Sequence, residues 1–175
     1  VTSNADIQGT GKLQLKGSSI QTVSMAGKKI PNLEIDNVNN ATLSTSAEVT
    51  GDLLFTNGNI LLGANNLSLG SAATVTTPTA AKHVVTDGTG KLRKAALTTA
   101  FTFPVGNSAT SYNPVAITNA GTADTIAVRC LANALTQGTA GTAFTKEVVD
   151  ASWDVSESVA GGSNLTLTAN WATAD

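Results

Sequence analysis

The stretch that decides the fold is Leu33-Glu34-Ile35, which returns twenty residues later as Leu53-Leu54-Phe55. Related segments stand twenty residues before and after these two, as Leu13-Gln14-Leu15 and Ala73-Thr74-Val75. The first and third positions of all four segments are apolar, so each position can contribute one column of side chains to a common core. A repeat of this length indicates stacked coils of chain.

Further short segments with strand character lie between these anchors and give each coil about three strands. They are Ala41-Thr42-Leu43, Ala47-Glu48-Val49, Ile60-Leu61-Leu62 and Leu67-Ser68-Leu69. This spacing is typical of a three-sided β-solenoid. Leu33, Leu53 and Phe55 are therefore predicted to point inward.

Asparagine recurs at the expected turns, with Asn37 and Asn57 in one column of the repeat and Asn39 and Asn59 in another. In stacked coils such side chains can hydrogen-bond up and down a ladder. Asparagine is also an ordinary turn residue, so both interpretations stay open.

The chain changes character near Pro78, where Thr76, Thr77 and Thr79 surround the proline. We place a boundary at residues 78 to 82, between a solenoid-like region of residues 1–78 and a β-sandwich domain of residues 83–175. The segments His83 to Thr86 and Lys91 to Ala96 predict a hairpin around the turn Asp87-Gly88-Thr89-Gly90.

Alternating apolar and polar residues predict the remaining strands of an antiparallel sandwich. These strands are Phe101 to Val105, Pro114 to Asn119, Thr125 to Leu131, Glu147 to Ser156 and Leu165 to Trp171. The best helix candidate, Leu131 to Leu135, runs directly into Gly138 and Gly141, so we predict a loop there. The whole chain is predicted to be all-β.

Composition excludes several classes of protein. The 10 basic and 12 acidic residues are spread along the chain and give a formal net charge of -2, so a nucleic-acid partner is not expected. No apolar run approaches the ~20 residues that cross a bilayer, so no membrane insertion is expected. The first residues lack the features of a signal peptide, so the chain reads as soluble, and as already processed if it is secreted.

Several short motifs in the second half recur in the same order in a module of large, repeat-rich surface proteins secreted by Bacteroidota. They are residues 84–92 (VVTDGTGKL), 103–106 (FPVG), 111–115 (SYNPV), 118–124 (TNAGTAD), 153–157 (WDVSE) and 161–167 (GGSNLTL). The preceding Asn57-Gly58-Asn59-Ile60 and Leu67-Ser68-Leu69-Gly70 are similar to the repeats that lead into that module. Residues 30 to 171 resemble it, and the resemblance implies an extracellular location at the cell surface, with type IX secretion as the associated route. It carries over no catalytic residue.

Two Gly-Thr-Gly-Lys segments, Gly9 to Lys12 and Gly88 to Lys91, resemble part of a phosphate-binding loop. That loop needs a Ser or Thr after the lysine and a helix that follows. Leu13 and Leu92 follow here and lead into predicted strands, so both segments are interpreted as tight turns.

His83 is the only histidine, and any Ser-His-Asp site would have to use it. No Gly-x-Ser-x-Gly elbow accompanies it, so a surface histidine at a strand start is expected. A zinc site needs about four ligands, and one His with one Cys falls short, so neither a metal nor a cofactor is predicted.

Acidic residues cluster from Glu147 to Glu157, with Asp150 and Asp154 between them. On one strand the two aspartates would share a face and could serve as paired carboxylates or as calcium ligands. Only Trp153 lies nearby, on the opposite face, so we interpret the cluster as solvated charge on the outer side of a strand.

Large apolar side chains are scarce, since aromatic residues make up 4% of the chain. Trp153, Trp171, Phe101 and Phe103 are therefore assigned to the core rather than to a sugar-binding platform. Cys130, the only cysteine, cannot form an intrachain disulfide and alternates in phase with Ile126 and Val128, which predicts a buried thiol.

The sequence favours a non-enzymatic extracellular structural or adhesin-type module with no catalytic, cofactor or metal residues. A self-assembling fibre subunit is the first alternative, with copies of the chain joined end to end or by donation of the strand around Asp6 to Leu15. A glycan-binding domain is the second. Other surface proteins or glycans are the expected partners in these cases. A regular threonine face for ice is not indicated, because Thr42, Thr74 and Thr76 do not align at twenty residues.

Overall fold

The computed structural model describes residues 1–145 and 148–171, and these residues form strands, turns and loops without a helix. The all-β prediction is confirmed. The strands are β1 (Lys12–Lys16), β2 (Gln21–Val23), β3 (Lys29–Ile30), β4 (Asn32–Asp36), β5 (Ala41–Leu43), β6 (Ala47–Val49), β7 (Asp52–Asn57), β8 (Ile60–Leu61), β9 (Leu67–Leu69), β10 (Thr74–Thr76), β11 (Val84–Val85), β12 (Leu92–Leu97), β13 (Phe101–Phe103), β14 (Val105–Gly106), β15 (Val115–Asn119), β16 (Asp124–Ala132), β17 (Ala151–Glu157) and β18 (Leu165–Ala169).

The first strands wind into a three-sided solenoid of about five coils, as predicted. Sheet 1 has the order β1-β4-β7-β10, and sheet 2 has the order β2-β5-β8-β11-β14. Sheet 3 begins with the parallel strands β3, β6, β9 and β12. Each coil contributes one strand to each sheet, so every strand pairs with the strands one coil away.

The twenty-residue register is confirmed for the first three coils. Leu13 pairs with Leu33, and Leu33 pairs with Leu53. In the fourth coil Val75, not Ala73, pairs with Leu53, so that part of the predicted alignment is wrong. The cause is the turn at residues 70–73, which is two residues longer than the turn at residues 50–51 one coil earlier.

The core runs along the solenoid axis as columns of aliphatic side chains. Leu33, Leu53 and Phe55 are fully buried, which confirms their predicted orientation. Leu54 lies between two buried residues on β7 and faces outward with partial exposure. The alternation of a strand thus sets one face against the core and the other against solvent.

Sheets 2 and 3 continue across the boundary that was predicted at residues 78 to 82. Strand β11 pairs in parallel with β8 and β14, and β12 pairs in parallel with β9. The predicted hairpin between these segments is therefore wrong. The turn at Gly88 and Gly90 is a corner of the solenoid, where an added Cβ would collide with the carbonyl groups of Gly63 and Asn65 one coil below.

The last strands form the two antiparallel layers of the predicted sandwich. One layer extends sheet 3, because β16 pairs antiparallel with β12 and β17 pairs antiparallel with β16. The other is a separate sheet with the order β13-β15-β18, which we call the cap sheet. Val115 and Ile117 of the cap sheet share one buried cluster with Ile126 and Val128 of sheet 3.

Three of the strands predicted after residue 100 are confirmed, as β15, β16 and β18. The segment Phe101 to Val105 is divided between the cap sheet and sheet 2, as β13 and β14. Strand β17 begins at Ala151, and Glu147 lies outside the described residues. The absence of a helix at Leu131 to Leu135 is confirmed, but Leu131 and Ala132 belong to β16, so the predicted loop begins only at Asn133.

The N-terminal segment lies against its own first coil. Ser24 donates its backbone N–H to the Val1 carbonyl at 2.8 Å, and Ser3 donates to the Ser24 carbonyl at 2.8 Å. Ile7 donates in the same way to Lys29 at 2.9 Å. Residues 1–7 therefore cover the free edges of β2 and β3.

We expect Leu53→Ala to lower the free energy of unfolding by about 2–5 kcal/mol, because the substitution leaves a cavity in a buried column. Urea denaturation measures the change. Leu54→Ala on the same strand is the matched control and is expected to cost much less. An unchanged midpoint for Leu53→Ala would show that the assigned register is wrong.

Candidate functional site

Polar side chains at the solenoid corners bridge consecutive coils. The Asn40 Oδ1 atom accepts the backbone N–H of Asn59 at 2.9 Å, and the Asn59 Oδ1 atom accepts the backbone N–H of His83 at 2.9 Å. At the next corner, Ser46 Oγ accepts the backbone N–H of Asn66 at 3.0 Å, and Asn66 Oδ1 accepts the backbone N–H of Lys91 at 2.9 Å. These polar groups are committed to holding the coils together.

The predicted asparagine ladder is present, but its members differ from the prediction. Asn59 follows Asn40, not Asn39, because Ala41 pairs with Ile60 at a spacing of nineteen residues. Asn37 fits both interpretations, because its Oδ1 atom accepts the Asn39 backbone N–H at 2.9 Å within the turn and its Nδ2 atom donates to the Ser19 carbonyl of the previous coil at 2.7 Å. Asn57 donates to Asp36 at 2.7 Å.

His83 occupies the next position of the Asn40 column and is fully buried. Its predicted place on the surface is therefore wrong. Its Nε2 lies 3.0 Å from the Ser108 carbonyl and its Nδ1 lies 3.3 Å from the Thr79 carbonyl. The centroids of the His83 and Tyr112 rings lie 5.0 Å apart. Burial lowers the pKa of His83, although its hydrogen bonds to backbone groups act in the opposite direction.

The acidic cluster separates into residues with different roles. Asp150 lies before β17 and is exposed, so it does not share a strand face with Asp154 as predicted. Asp154 accepts from Lys91 at 2.8 Å and from Arg129 at 2.9 Å, with 18% of its side chain exposed. It is an ion-paired residue, not the solvated charge that was predicted. Glu157 accepts from the Gly161 backbone at 2.7 Å.

The Asp154 carboxyl has two opposing influences on its pKa. Burial alone would raise the pKa, but the hydrogen bonds from Lys91 and Arg129 hold it below its ordinary value. A carboxyl group that acts as a general acid needs a raised pKa. The position of Asp154 therefore suits a structural ion pair better than acid catalysis.

The aromatic residues divide between core and surface. Phe103 is fully buried, and Phe101 packs edge to face against it with ring centroids 5.0 Å apart. Trp153 packs against the core and donates its indole N–H to the Asn113 carbonyl at 2.8 Å. Trp171 is 49% exposed, so its assignment to the core is wrong.

The structure agrees with the predictions for Cys130 and for the two Gly-Thr-Gly-Lys segments. Cys130 is buried within the core cluster, and the alternation with Ile126 and Val128 is confirmed. Lys12 begins β1 and Lys91 directly precedes β12, so a strand follows each Gly-Thr-Gly-Lys segment where a phosphate-binding loop requires a helix.

A shallow polar groove of about 290 Å³ lies on the outer face of sheet 3. Ala127 forms part of its floor, and the cations Lys91 and Arg93 stand on its walls. The rest of the lining consists of the Asn66 amide, the Glu157 carboxylate and the hydroxyl groups of Thr89, Thr125, Ser156 and Ser158. This groove could not be predicted from the sequence, because its residues come from four separate segments of the chain.

The described residues contain no group of three or more His, Cys, Asp or Glu side chains that could hold a metal ion. Within residues 1–145 and 148–171, no helix has the length and apolar character needed to cross a membrane.

We expect the stability of the protein to fall as the pH decreases from about 7 to about 5. Burial lowers the pKa of His83 in the folded protein below its ordinary value of 6.5. At a pH between the folded-state pKa and 6.5, the unfolded chain therefore binds more protons than the folded protein. The contribution of His83 to stability is complete above pH 6.5 and is lost as the pH falls toward the folded-state pKa.

Urea midpoints at several pH values measure this effect. His83→Gln removes the only histidine and should give a flat profile over the same range, whereas Leu53→Ala should keep the wild-type slope. The carboxyl groups with lowered pKa titrate below this window. A wild-type midpoint that is constant from pH 7 to pH 5 would contradict the role of the buried imidazole.

Comparison of the chain with protein-family models, curated proteins and solved structures found no match.

Proposed function

We propose that this chain is a non-enzymatic structural or adhesin-type module of an extracellular, cell-surface protein. The observation that carries the proposal is the commitment of corner side chains to coil-to-coil hydrogen bonds, as in the Asn40, Asn59 and His83 column. A module built in this way resists bending and fraying, because each coil holds the backbone of the next.

The dimensions and the core support a rigid spacer. Five stacked coils at about 4.8 Å each give a rod roughly 24 Å long before the cap sheet is added. One buried cluster extends from Leu15 in the first coil to Ala151 at the start of β17. The solenoid and the sandwich therefore share a continuous core and transmit force as one body.

The side chains that most often perform chemistry have structural partners here. The buried His83 ring has both nitrogen atoms near backbone carbonyls, and Cys130 is 1% exposed. Asp154 is paired with two cations. These placements favour a structural role over a hydrolytic one.

The non-enzymatic proposal is tested by incubating the full chain with chromogenic glycosides and esters and with polysaccharides of plant and bacterial origin. We expect no turnover above a heat-inactivated control. Turnover that is lost in Asp154→Asn and retained in Asp150→Asn, the exposed matched control, would overturn the proposal.

The proposed location is tested on intact cells that produce the protein. An antibody against the folded chain should label intact cells, and external protease should remove the signal. Labelling that appears only after lysis would place the chain inside the cell and would end the surface proposal.

A second candidate function, a self-assembling fibre subunit, is favoured by the first coil. Strand β1 stands at the end of sheet 1, and its outer edge pairs with no strand among the described residues. Open strand edges template pairing with another chain. In contrast to the strand-donation scheme, residues 1–7 lie on their own β2 and β3, so end-to-end stacking requires less rearrangement.

Removal of residues 1–9 distinguishes the two modes of assembly. Stacking predicts larger particles for the truncated chain, because the edges of β2 and β3 become open, whereas strand donation predicts smaller ones. Light scattering at matched high concentrations measures the particle size. If the intact and the truncated chains are both monomeric, the fibre function should be abandoned.

A further inference from the structure

Arg93 differs from the other cations that the structure describes in the second half of the chain. Lys91 and Arg129 pair with Asp154, and the Lys94 ammonium contacts three backbone carbonyls. Lys82 donates to the Phe55 carbonyl at 2.9 Å. Arg93 makes no side-chain hydrogen bond or ion pair with residues 1–145 and 148–171, although it is only partly exposed.

The strand register places Arg93 directly on the groove. Arg93 pairs with Ala127, and Ala127 pairs with Ser156, so the three residues form one row across the outer face of sheet 3. The small side chain of Ala127 leaves room in the middle of the row. The guanidinium on one side and the Ser156 hydroxyl on the other therefore border the open space.

A partly buried guanidinium without a partner has lost part of its hydration and gained no hydrogen bond in return. Its planar fork of N–H donors matches the two oxygens of a carboxylate or a sulfate. The surrounding hydroxyl groups of Thr89 and Thr125 can exchange hydrogen bonds with the hydroxyl groups of a sugar, and the Ser158 hydroxyl, which donates to Asp124, can still accept one. The groove therefore combines one site for an anion with several sites for neutral polar groups.

We propose that the sheet 3 groove binds an acidic polysaccharide, with Arg93 pairing with one carboxylate or sulfate group of the sugar chain. The inference deepens the adhesin aspect of the proposed function and rests on it. The neighbouring Lys91 and Arg129 are already neutralised in part by Asp154, so the site offers a single strong anion contact and not a continuous basic track. Weak, salt-sensitive binding at each site is the expected behaviour.

The test is calorimetric titration of the full chain with three oligosaccharides of equal length. One carries carboxylates (oligogalacturonate), one carries sulfates (a sulfated galactan fragment), and one is neutral (the unsulfated galactan fragment). We expect one of the charged probes to bind and the neutral probe to bind at least tenfold more weakly. The charged probe that binds identifies the anion. Equal binding of the neutral probe, or no binding of either charged probe, would overturn the proposal.

Two substitutions assign any binding to the groove. Arg93→Gln should weaken binding about tenfold to a hundredfold, as expected for loss of hydrogen bonds to a charged group. Lys28→Gln is the control, because Lys28 is an exposed cation in the first coils, away from the groove. Equal losses in the two variants would show that attraction is diffuse and would overturn the proposal.

Nuclear magnetic resonance on the wild-type chain keeps the test valid if Arg93→Gln does not fold. The charged probe should shift the backbone amide signals of Ala127 and Ser156. Shifts confined to other regions would overturn the proposal. A negative result for the groove leaves the structural function intact, because enzyme turnover and cell-surface labelling test that function separately.

Discussion

The structure depends on how each coil satisfies the backbone hydrogen bonds of the next where the chain turns. Within the sheets the ladder does this, but at a corner the backbone changes direction and leaves donors unpaired. At each of the three corners, a polar side chain supplies the missing acceptor between at least one pair of consecutive coils. Asn32 Oδ1 accepts from Asp52 at 2.8 Å, and Asn40 and Ser46 do the same at the other two corners. A short side-chain oxygen in register therefore lets two coils stack tightly where the backbone of the turn leaves a donor unpaired.

The end of the parallel stack has an equally specific cause. Lys94 occupies an inward-facing position, where Leu69 stands one coil earlier, and its side chain is buried. Its ammonium group donates to the carbonyls of Gly70, Ser71 and Ala73, each at 2.8 Å, and these belong to the long turn of the previous coil. Burial lowers the pKa of Lys94. Beyond it the register between β12 and β16 shifts, and Ala96 adopts a positive φ of 47°. The next strand of sheet 3, β16, pairs antiparallel with β12.

Features that periodicity controls could be predicted from the sequence, whereas features that depend on pairing between distant segments could not. Columns such as Leu33 and Leu53 are visible because their spacing is constant. The predicted hairpin was wrong because the sequence of a Gly-rich turn is the same at a hairpin and at a solenoid corner. His83 was assigned to the surface because its column partner, Asn59, lies twenty-four residues earlier across a longer coil. The sheet 3 groove could not be predicted, since it needs the antiparallel register of Arg93, Ala127 and Ser156.

The outer faces of the solenoid differ in how much of their polar surface is already used. On sheet 1, Lys12 and Lys16 lie over Glu34 and Asp36 at 2.5 and 3.1 Å. Thr56 and Asn57 donate to the same two carboxylates from the next coil. That face is cross-linked within itself and offers a ligand few groups that lack a partner. On sheet 3, Lys91 likewise bridges Asp154 and Ser156. Arg93, however, lies beside the small Ala127 and has no side-chain partner among the described residues. We therefore propose sheet 3 as the face for ligand binding, while sheet 1 contributes to rigidity.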